Sequence, residues 1–312
     1  MSRKASPRRA SRRERHRRPG RGFGGLKSEA GRTMVIEAMK PSDSPPIRKG
    51  FFTDTTVCIG CKACEVACKQ WNQLPDDGMV FTGMSYDNTV DLGASTWRHV
   101  SFVERPAALR GDEDQAFSWL MMSDVCKHCQ RAGCLENCPT GAIVRTEFDT
   151  VYVQPDVCNG CGYCIAGCPF GVIDRRADDG RAWKCTLCYD RLKDDLTPAC
   201  AKACPTESIV FGDMDELRQR AERRVEELHS RGVADAYLYG ADGAAQPGTE
   251  GLNAFFLLVD EPEIYNLPPD PVVPTKKAGE AWRSAAAAAG ALVALAFAAV
   301  VRSGHPSKVK PR

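Results

Sequence analysis

Cys158-Asn-Gly-Cys161-Gly-Tyr-Cys164-Ile-Ala-Gly-Cys168-Pro169 sets three thiols within seven residues and a fourth four positions on. The spacing C-x2-C-x2-C-x3-C-P lets one tight loop offer three thiolates to three corners of an iron–sulphur cubane. The fourth cysteine, carried off on the next turn, ligates the other cluster of a two-cluster pair. Such a group demands a reciprocal one, and the chain holds three more. Cys58, Cys61, Cys64 and Cys68 repeat the x2-x2-x3 spacing but run into Lys69 instead of proline. Cys126, Cys129, Cys134 and Cys138 are spaced x2-x4-x3 before Pro139, and Cys185, Cys188, Cys200 and Cys204 are spaced x2-x11-x3 before Pro205. Together they use all 16 cysteines.

Two other chemistries compete for such residues. A disulfide framework has no reason to open every cluster with C-x2-C. Zinc knuckles do use C-x2-C, but they join two separated pairs, whereas two groups here pack three cysteines at x2 spacing. Iron–sulphur ligation is the expectation. Within-group triads plus an exchanged fourth ligand give four sets. In the outer pair of groups, Cys58, Cys61 and Cys64 join Cys204, while Cys185, Cys188 and Cys200 join Cys68. In the inner pair, Cys126, Cys129 and Cys134 join Cys168, while Cys158, Cys161 and Cys164 join Cys138.

The elements that must position these thiols carry their own repeat. Cys138-Pro-Thr-Gly-Ala-Ile143, Cys168-Pro-Phe-Gly-Val-Ile173 and Cys204-Pro-Thr-Glu-Ser-Ile209 share C-P-x-x-x-I. The proline ends a short cysteine-bearing helix, and the isoleucine is expected to start a strand packed under the cluster. The fold class expected is α+β: two ferredoxin-like modules, each holding two [4Fe–4S] clusters, with a disordered basic N-terminus and a single C-terminal transmembrane helix. An insertion after the first group carries an expected strand, Trp97 to Glu104, and a second apolar run, Ala116 to Met122. Ala142 to Val153 reads as a hairpin, and Tyr189 to Ala199 as a loop or short helix. His99 reads as a strand or surface histidine and His128 as packing beside the ligands, since each cluster already has four thiolates. Lys62, Lys69, Lys127, Lys184 and Lys202 stand beside ligands, where they either raise reduction potentials or merely solvate the surface.

The formal charge of +2 conceals an asymmetry. Residues 1–32 hold twelve Lys/Arg against two Glu, a net +10, so the other 280 residues, with 30 basic and 38 acidic side chains, carry −8. The globular part is mildly acidic, which argues against nucleic acid as a partner. Gly20, Gly22 and Gly25 match G-x-G-x-x-G, yet no strand precedes them. Ser11-Arg12-Arg13 lacks the apolar stretch of a twin-arginine signal. The basic arm either touches anionic lipid or precedes a true start at Met34 or Met39. No C-x-x-C-H, P-loop, nucleophile elbow or nicotinamide fingerprint occurs, so no catalytic residues and no small-molecule substrate are expected.

After the last group, Asp213-Met-Asp-Glu216 reads as an acidic helix cap, followed by a surface helix to His229 with Leu217, Ala221, Val225 and Leu228 buried. Asn253 to Asp260 reads as a strong strand, and 261–275 as an extended proline-rich linker. Ser284 to Val301 is an uncharged run spanning about 27 Å as a helix, enough for a hydrocarbon core, with a buried or amphipathic soluble helix as the alternative. Ala286, Gly290, Ala294 and Ala298 recur at the spacing of a helix–helix contact in lipid. Flanking charges lean toward a cytoplasmic C-terminus and an extracytoplasmic cluster domain at the plasma membrane. The domain plan is therefore 1–49 basic extension, 50–260 four-cluster electron-transfer domain, 261–281 linker, 282–302 transmembrane helix and 303–312 basic tail.

The order of the four spacings is similar to the four-cluster electron-transfer subunits of molybdopterin oxidoreductases. Cys58-Ile-Gly-Cys-Lys-Ala-Cys64, Cys161-Gly-Tyr-Cys-Ile-Ala-Gly-Cys-Pro-Phe170 and Lys184-Cys-Thr-Leu-Cys188 resemble the β (iron–sulphur) subunit of membrane-bound formate dehydrogenase of the N/O type. The likeness runs from about Phe51 to Val301. It lacks the tryptophan-for-cysteine change of nitrate reductase relatives, which implies four [4Fe–4S] clusters. It also implies a molybdopterin-containing catalytic α subunit that oxidises formate, a cytochrome b γ subunit that reduces quinone, and lipid around the C-terminal helix. The equivalent subunit of a hydrogenase or of a dimethyl sulphoxide, polysulphide or nitrate reductase is the alternative. A soluble polyferredoxin and a structural zinc protein are the readings from other classes.

Overall fold

Phe51 and Phe52 are adjacent on one strand and point to opposite faces, as strand geometry requires, and this pair divides the molecule. A computed structural model describes residues 47–303 apart from 79–80, 84–86, 88, 107–116, 245 and 247. Strand β1 (Lys49–Asp54) lies inside a four-stranded sheet of order β8-β1-β10-β9, formed with β8 (Ile209–Asp213), β9 (Tyr237–Tyr239) and β10 (Ala254–Leu258). β1 pairs antiparallel with β8 (Phe51 opposite Phe211) and parallel with β10 (Phe51 opposite Ala254). Phe51 faces a core that includes Cys64, Cys68, Cys126, Cys185 and Cys200. Phe52 faces helix α6 (Met214–Ser230) through Met214, Leu217, Ala221 and Leu228. β10 is buried along its whole length because both faces are covered, which explains its unbroken apolar run.

Short elements hold the cysteines. Helices α1 (Ala63–Asn72), α2 (Gly133–Glu136), α3 (Tyr163–Ala166), α4 (Tyr189–Lys193) and α5 (Ala199–Lys202) alternate with three hairpins. These are β2 (Arg98–Pro106) with β3 (Phe117–Val125), β4 (Ile143–Arg145) with β5 (Val151–Val153), and β6 (Asp174–Arg175) with β7 (Ala182–Trp183), all antiparallel. The expected hairpin at 142–153 is thus present, and the strand expected from Trp97 pairs with one formed by the second apolar run. Ile143 and Ile209 each begin a strand, and Ile173 directly precedes one. Proline marks where the helix stops in three groups. In the first group, where Lys69 follows Cys68, α1 continues to Asn72.

Four expectations need correction. The basic extension cannot run to residue 49: Lys49 begins β1 and pairs with Asp213 at 3.0 Å, and Arg48 pairs with Asp149 at 3.3 Å; the rest of it, 1–46, lies outside the described residues, as does 304–312. Asp213 makes no side-chain cap bond to α6, because its carboxylate is taken by Lys49. The stretch 261–281 is not an extended linker as far as Val273, since Tyr265, Leu267 and Val273 are buried and a 3-10 turn (Pro262–Tyr265) bends it; a second 3-10 turn, Pro274–Lys277, follows. The final helix α7 (Ala278–Ser303) starts four residues earlier than expected. Its apolar stretch has mean hydropathy 2.2 with none of it buried against the rest of the protein. It is long and apolar enough to cross a membrane.

Candidate metal centres

Each C-x2-C opens with the same backbone device. The residue before the second cysteine has positive φ in all four groups: Gly60 (64°), His128 (43°), Gly160 (72°) and Leu187 (57°). This left-handed step turns the chain so that successive thiols converge. The third cysteine of every group, Cys64, Cys134, Cys164 or Cys200, is then the second residue of a helix (α1, α2, α3 or α5). The second residue after each Cys-Pro is again left-handed: Gly141 (68°), Gly171 (65°) and Glu207 (52°). The repeat legible in the residues is therefore a repeat of dihedral angles.

The thiols that the exchange rule pairs lie beside one another. The thiol neighbours of Cys58 are Cys204 and Cys61, and those of Cys68 are Cys200, Cys185 and Cys188. Cys129 has Cys126, Cys168 and Cys134, and Cys164 has Cys158, Cys138 and Cys161. A cavity lined by Cys126, Cys129, Cys134 and Cys168 also borders Phe170 and Lys184. The quartets adjoin in series: Cys64 neighbours Cys200, Cys185 neighbours Cys126, and Cys134 neighbours Cys164. The order along the molecule is thus first, fourth, second, third group. Cys61 and Cys161, at the two ends, are exposed.

Burial, and then the neighbouring thiols, raise the pKa of several of these cysteines. Burial pushes Cys64 up to about 11 against the pull of Arg98, and Cys134 to about 12 against that of Lys184. Cys188 and Cys164 rise to about 11, through burial and then through Cys200 and Cys158 respectively. Cys138 is the reverse case: against a burial cost, the Thr140 hydroxyl and nearby backbone N–H groups lower it. None of the sixteen cysteines forms a disulfide. An all-thiol donor set gathered in fours, most of it partly or fully buried, fits soft-metal and iron–sulphur ligation, in which the metal replaces the protons. Several sulphurs also meet donors: Ala182 N–H to Cys158 Sγ (3.4 Å), Leu187 N–H to Cys185 Sγ (3.3 Å) and Asn72 Nδ2 to Cys68 Sγ (3.6 Å).

The five lysines divide. Lys127 and Lys184 are buried; Lys127 pairs with Asp124 and lies over Phe170 and Phe256, and Lys184 donates to the carbonyls of Val151 and Cys185. Lys62 and Lys69 are held by carboxylates, Lys62 by Glu65 and Asp87 and Lys69 by Asp77, and Lys202 is exposed. His128 is buried and accepts a hydrogen bond from Val151 N–H at Nδ1 (3.1 Å). Burial, helped by Lys184, depresses its pKa. His99 lies on β2, 3.4 Å from Asp87, where Lys62 occupies the space between Asp87 and Glu65, so this group is an ion-pair cluster. Sequence reasoning missed Arg98, which is fully buried against Cys64 and Cys200. The available signal was strand alternation, because Arg98 shares the inward face with Val100.

Two family models, each described as a 4Fe-4S dicluster domain, match residues 57–142 and 117–214. The thiol quartets and these matches define a dicluster iron–sulphur protein of mixed helix and strand. Over 224 residues the sequence is 43% identical to the "formate dehydrogenase iron-sulfur subunit" of Haemophilus influenzae, covering 70% of this protein and 68% of that one. It is 41% identical over 226 residues to the nitrate-inducible formate dehydrogenase iron-sulfur subunit of Escherichia coli (71% and 73% covered). The B subunit of the anaerobic dimethyl sulfoxide reductase of Escherichia coli is 33% identical over 171 residues (55% and 76%). The protein belongs to the family of formate dehydrogenase iron–sulphur subunits.

Proposed function

We propose that this protein is the electron-transfer subunit of a formate dehydrogenase complex and that its sixteen cysteines hold four [4Fe–4S] clusters in the exchanged quartets given above. When bound, such clusters supply one-electron carriers. The observation that carries the reading is the series of adjoining quartets, which runs from exposed Cys61 to exposed Cys161 through a buried interior. Exposed apolar residues flank both ends, Ile59 and Val66 at the first and Val157 and Tyr163 at the third group, as docking edges for partner subunits would require. Val273 packs at Gly133, and Thr275 bonds Glu136 on α2, so the polypeptide enters α7 from the module of the second and third groups. With α7 as a single membrane span, the third-group end belongs on the side of a cytochrome b γ subunit. The first-group end then belongs on the side of a molybdopterin α subunit. The bulk of the protein, 50–260, is the electron-transfer domain, on the extracytoplasmic face by the charge bias around α7.

Anaerobic membranes containing the complex test this. Formate should bleach the cluster absorption near 400 nm to the extent that dithionite does. A complex reduced by dithionite but not by formate, and reoxidised by dimethyl sulphoxide, would move the protein to the reductase branch represented by the 33% relative.

A further inference from the structure

Arg98 is 1% exposed, and among the described residues it forms no ion pair with a carboxylate. Its guanidinium donates to Ser123 O (3.0 Å), to Ser123 Oγ (3.4 Å) and to Cys200 Sγ (3.4 Å), and it lies 4.8 Å over the ring of Phe51. Nε has no partner. Ser123 Oγ in turn sits 3.2 Å from Cys64 Sγ. One cation therefore spans a ligand of the first group and a ligand of the fourth. A guanidinium cannot lose its proton to suit a dry site, and a buried charge left without a partner is strongly destabilising. The groups that face Arg98 are Cys64 and Cys68 from α1, Cys200 from α5, Cys185 from the loop after β7, Phe51 from β1 and Ser123 from β3, so sulphurs, Cys200 first and then Cys64 and Cys185, supply the negative charge around it.

We propose that Arg98 is the shared counter-charge of the clusters of the first and fourth groups, the outer pair in sequence, raising the reduction potential of both while moving the clusters of the second and third groups, the inner pair in sequence, little. The inference rests on the reading that the first and fourth groups hold [4Fe–4S] clusters. Adding an electron makes a thiolate-ligated cluster more negative, so a cation fixed within hydrogen-bond reach of its ligands stabilises the reduced form more than the oxidised one. Low polarity around the pair strengthens the effect. Arg98 acts through the ligand sulphurs and is a positioning residue, with no part in binding formate.

The test compares Arg98→Gln, which keeps hydrogen-bonding capacity and loses the charge, with Arg98→Lys, which keeps the charge, in the purified complex. Iron is counted first, and each cluster is then titrated potentiometrically by EPR. Arg98→Gln should shift the reduction equilibria of both outer clusters toward the oxidised form at least tenfold, about 59 mV for a one-electron couple. Arg98→Lys should stay within threefold of the parent, and the inner pair should hold in both variants. Unchanged outer potentials in an iron-replete Arg98→Gln complex would overturn the proposal, as would an equal loss in Arg98→Lys. If Arg98→Gln fails to load iron while Arg98→Lys loads fully, the requirement is for charge and the proposal stands. Failure of both variants makes it a packing requirement and overturns it. A parent complex without iron would instead sink the cluster reading itself.

Discussion

Glu207 stands where the two earlier Cys-Pro repeats have Gly141 and Gly171, and it holds the same left-handed φ, 52°. An L side chain in that region costs about 1–2 kcal/mol, part of which glycine's larger unfolded-state entropy would offset. Its ion pair with Arg220 is exposed and contributes little. Glu207→Gly should therefore stabilise the fold by about 0.5 kcal/mol, read as a small rise in unfolding midpoint at unchanged iron content; a clear fall would contradict the dihedral repeat. The thiols give a pH prediction. In the metal-free folded protein, burial lifts Cys64 from 9.0 to about 11. Below 9.0 both states keep the proton and folding is unpenalised; between 9.0 and about 11 the unfolded state ionises first. Chelator-stripped protein should thus lose stability as pH rises through that window, measured by denaturant midpoints at stepped pH. A stability that climbs over the same window would contradict it.

The elements show why some of this architecture was legible and some was not. Ligand spacing, proline stops and the C-P-x-x-x-I repeat are local constraints, so the groups, the short helices and the 142–153 hairpin could be read from the residues. The parallel pairing of β1 with β10 joins segments about two hundred residues apart, and no local pattern announces it. Nor could the capture of Asp213 by Lys49 be read, although it displaces an otherwise sound capping argument. Arg98 stayed hidden because its partners come from four different elements. Close approach of α2 and α3 is equally non-local: a Cβ on Gly133 would collide with the Gly167 carbonyl oxygen. Gly133→Ala should push the second and third groups apart and roughly halve the iron content, with the outer pair's spectrum retained; full iron would show that the contact is dispensable. On the opposite face of the sheet, Phe52→Ala should cost about 3–5 kcal/mol yet leave the cluster spectrum unchanged, because Phe52 packs on α6 and not on the cysteines. Denaturation midpoints and EPR spectra separate the two effects.

Across the whole molecule a sheet and its helix support one side while the thiol quartets fill the other, and a long exposed apolar helix follows. Because Val273 is buried in the domain and Thr275 bonds Glu136 before α7 begins, truncation after Lys277 should give a protein that keeps its iron and leaves the membrane fraction. Loss of iron on truncation would mean that α7 supports the fold as well as anchoring it. The central claim, sixteen thiols holding four cubanes in series, is tested most directly by metal and acid-labile sulphide analysis of protein purified under argon. About sixteen irons and as many sulphides per polypeptide are expected. A preparation with its cysteines intact that carries zinc, and that dithionite cannot reduce, would contradict the account.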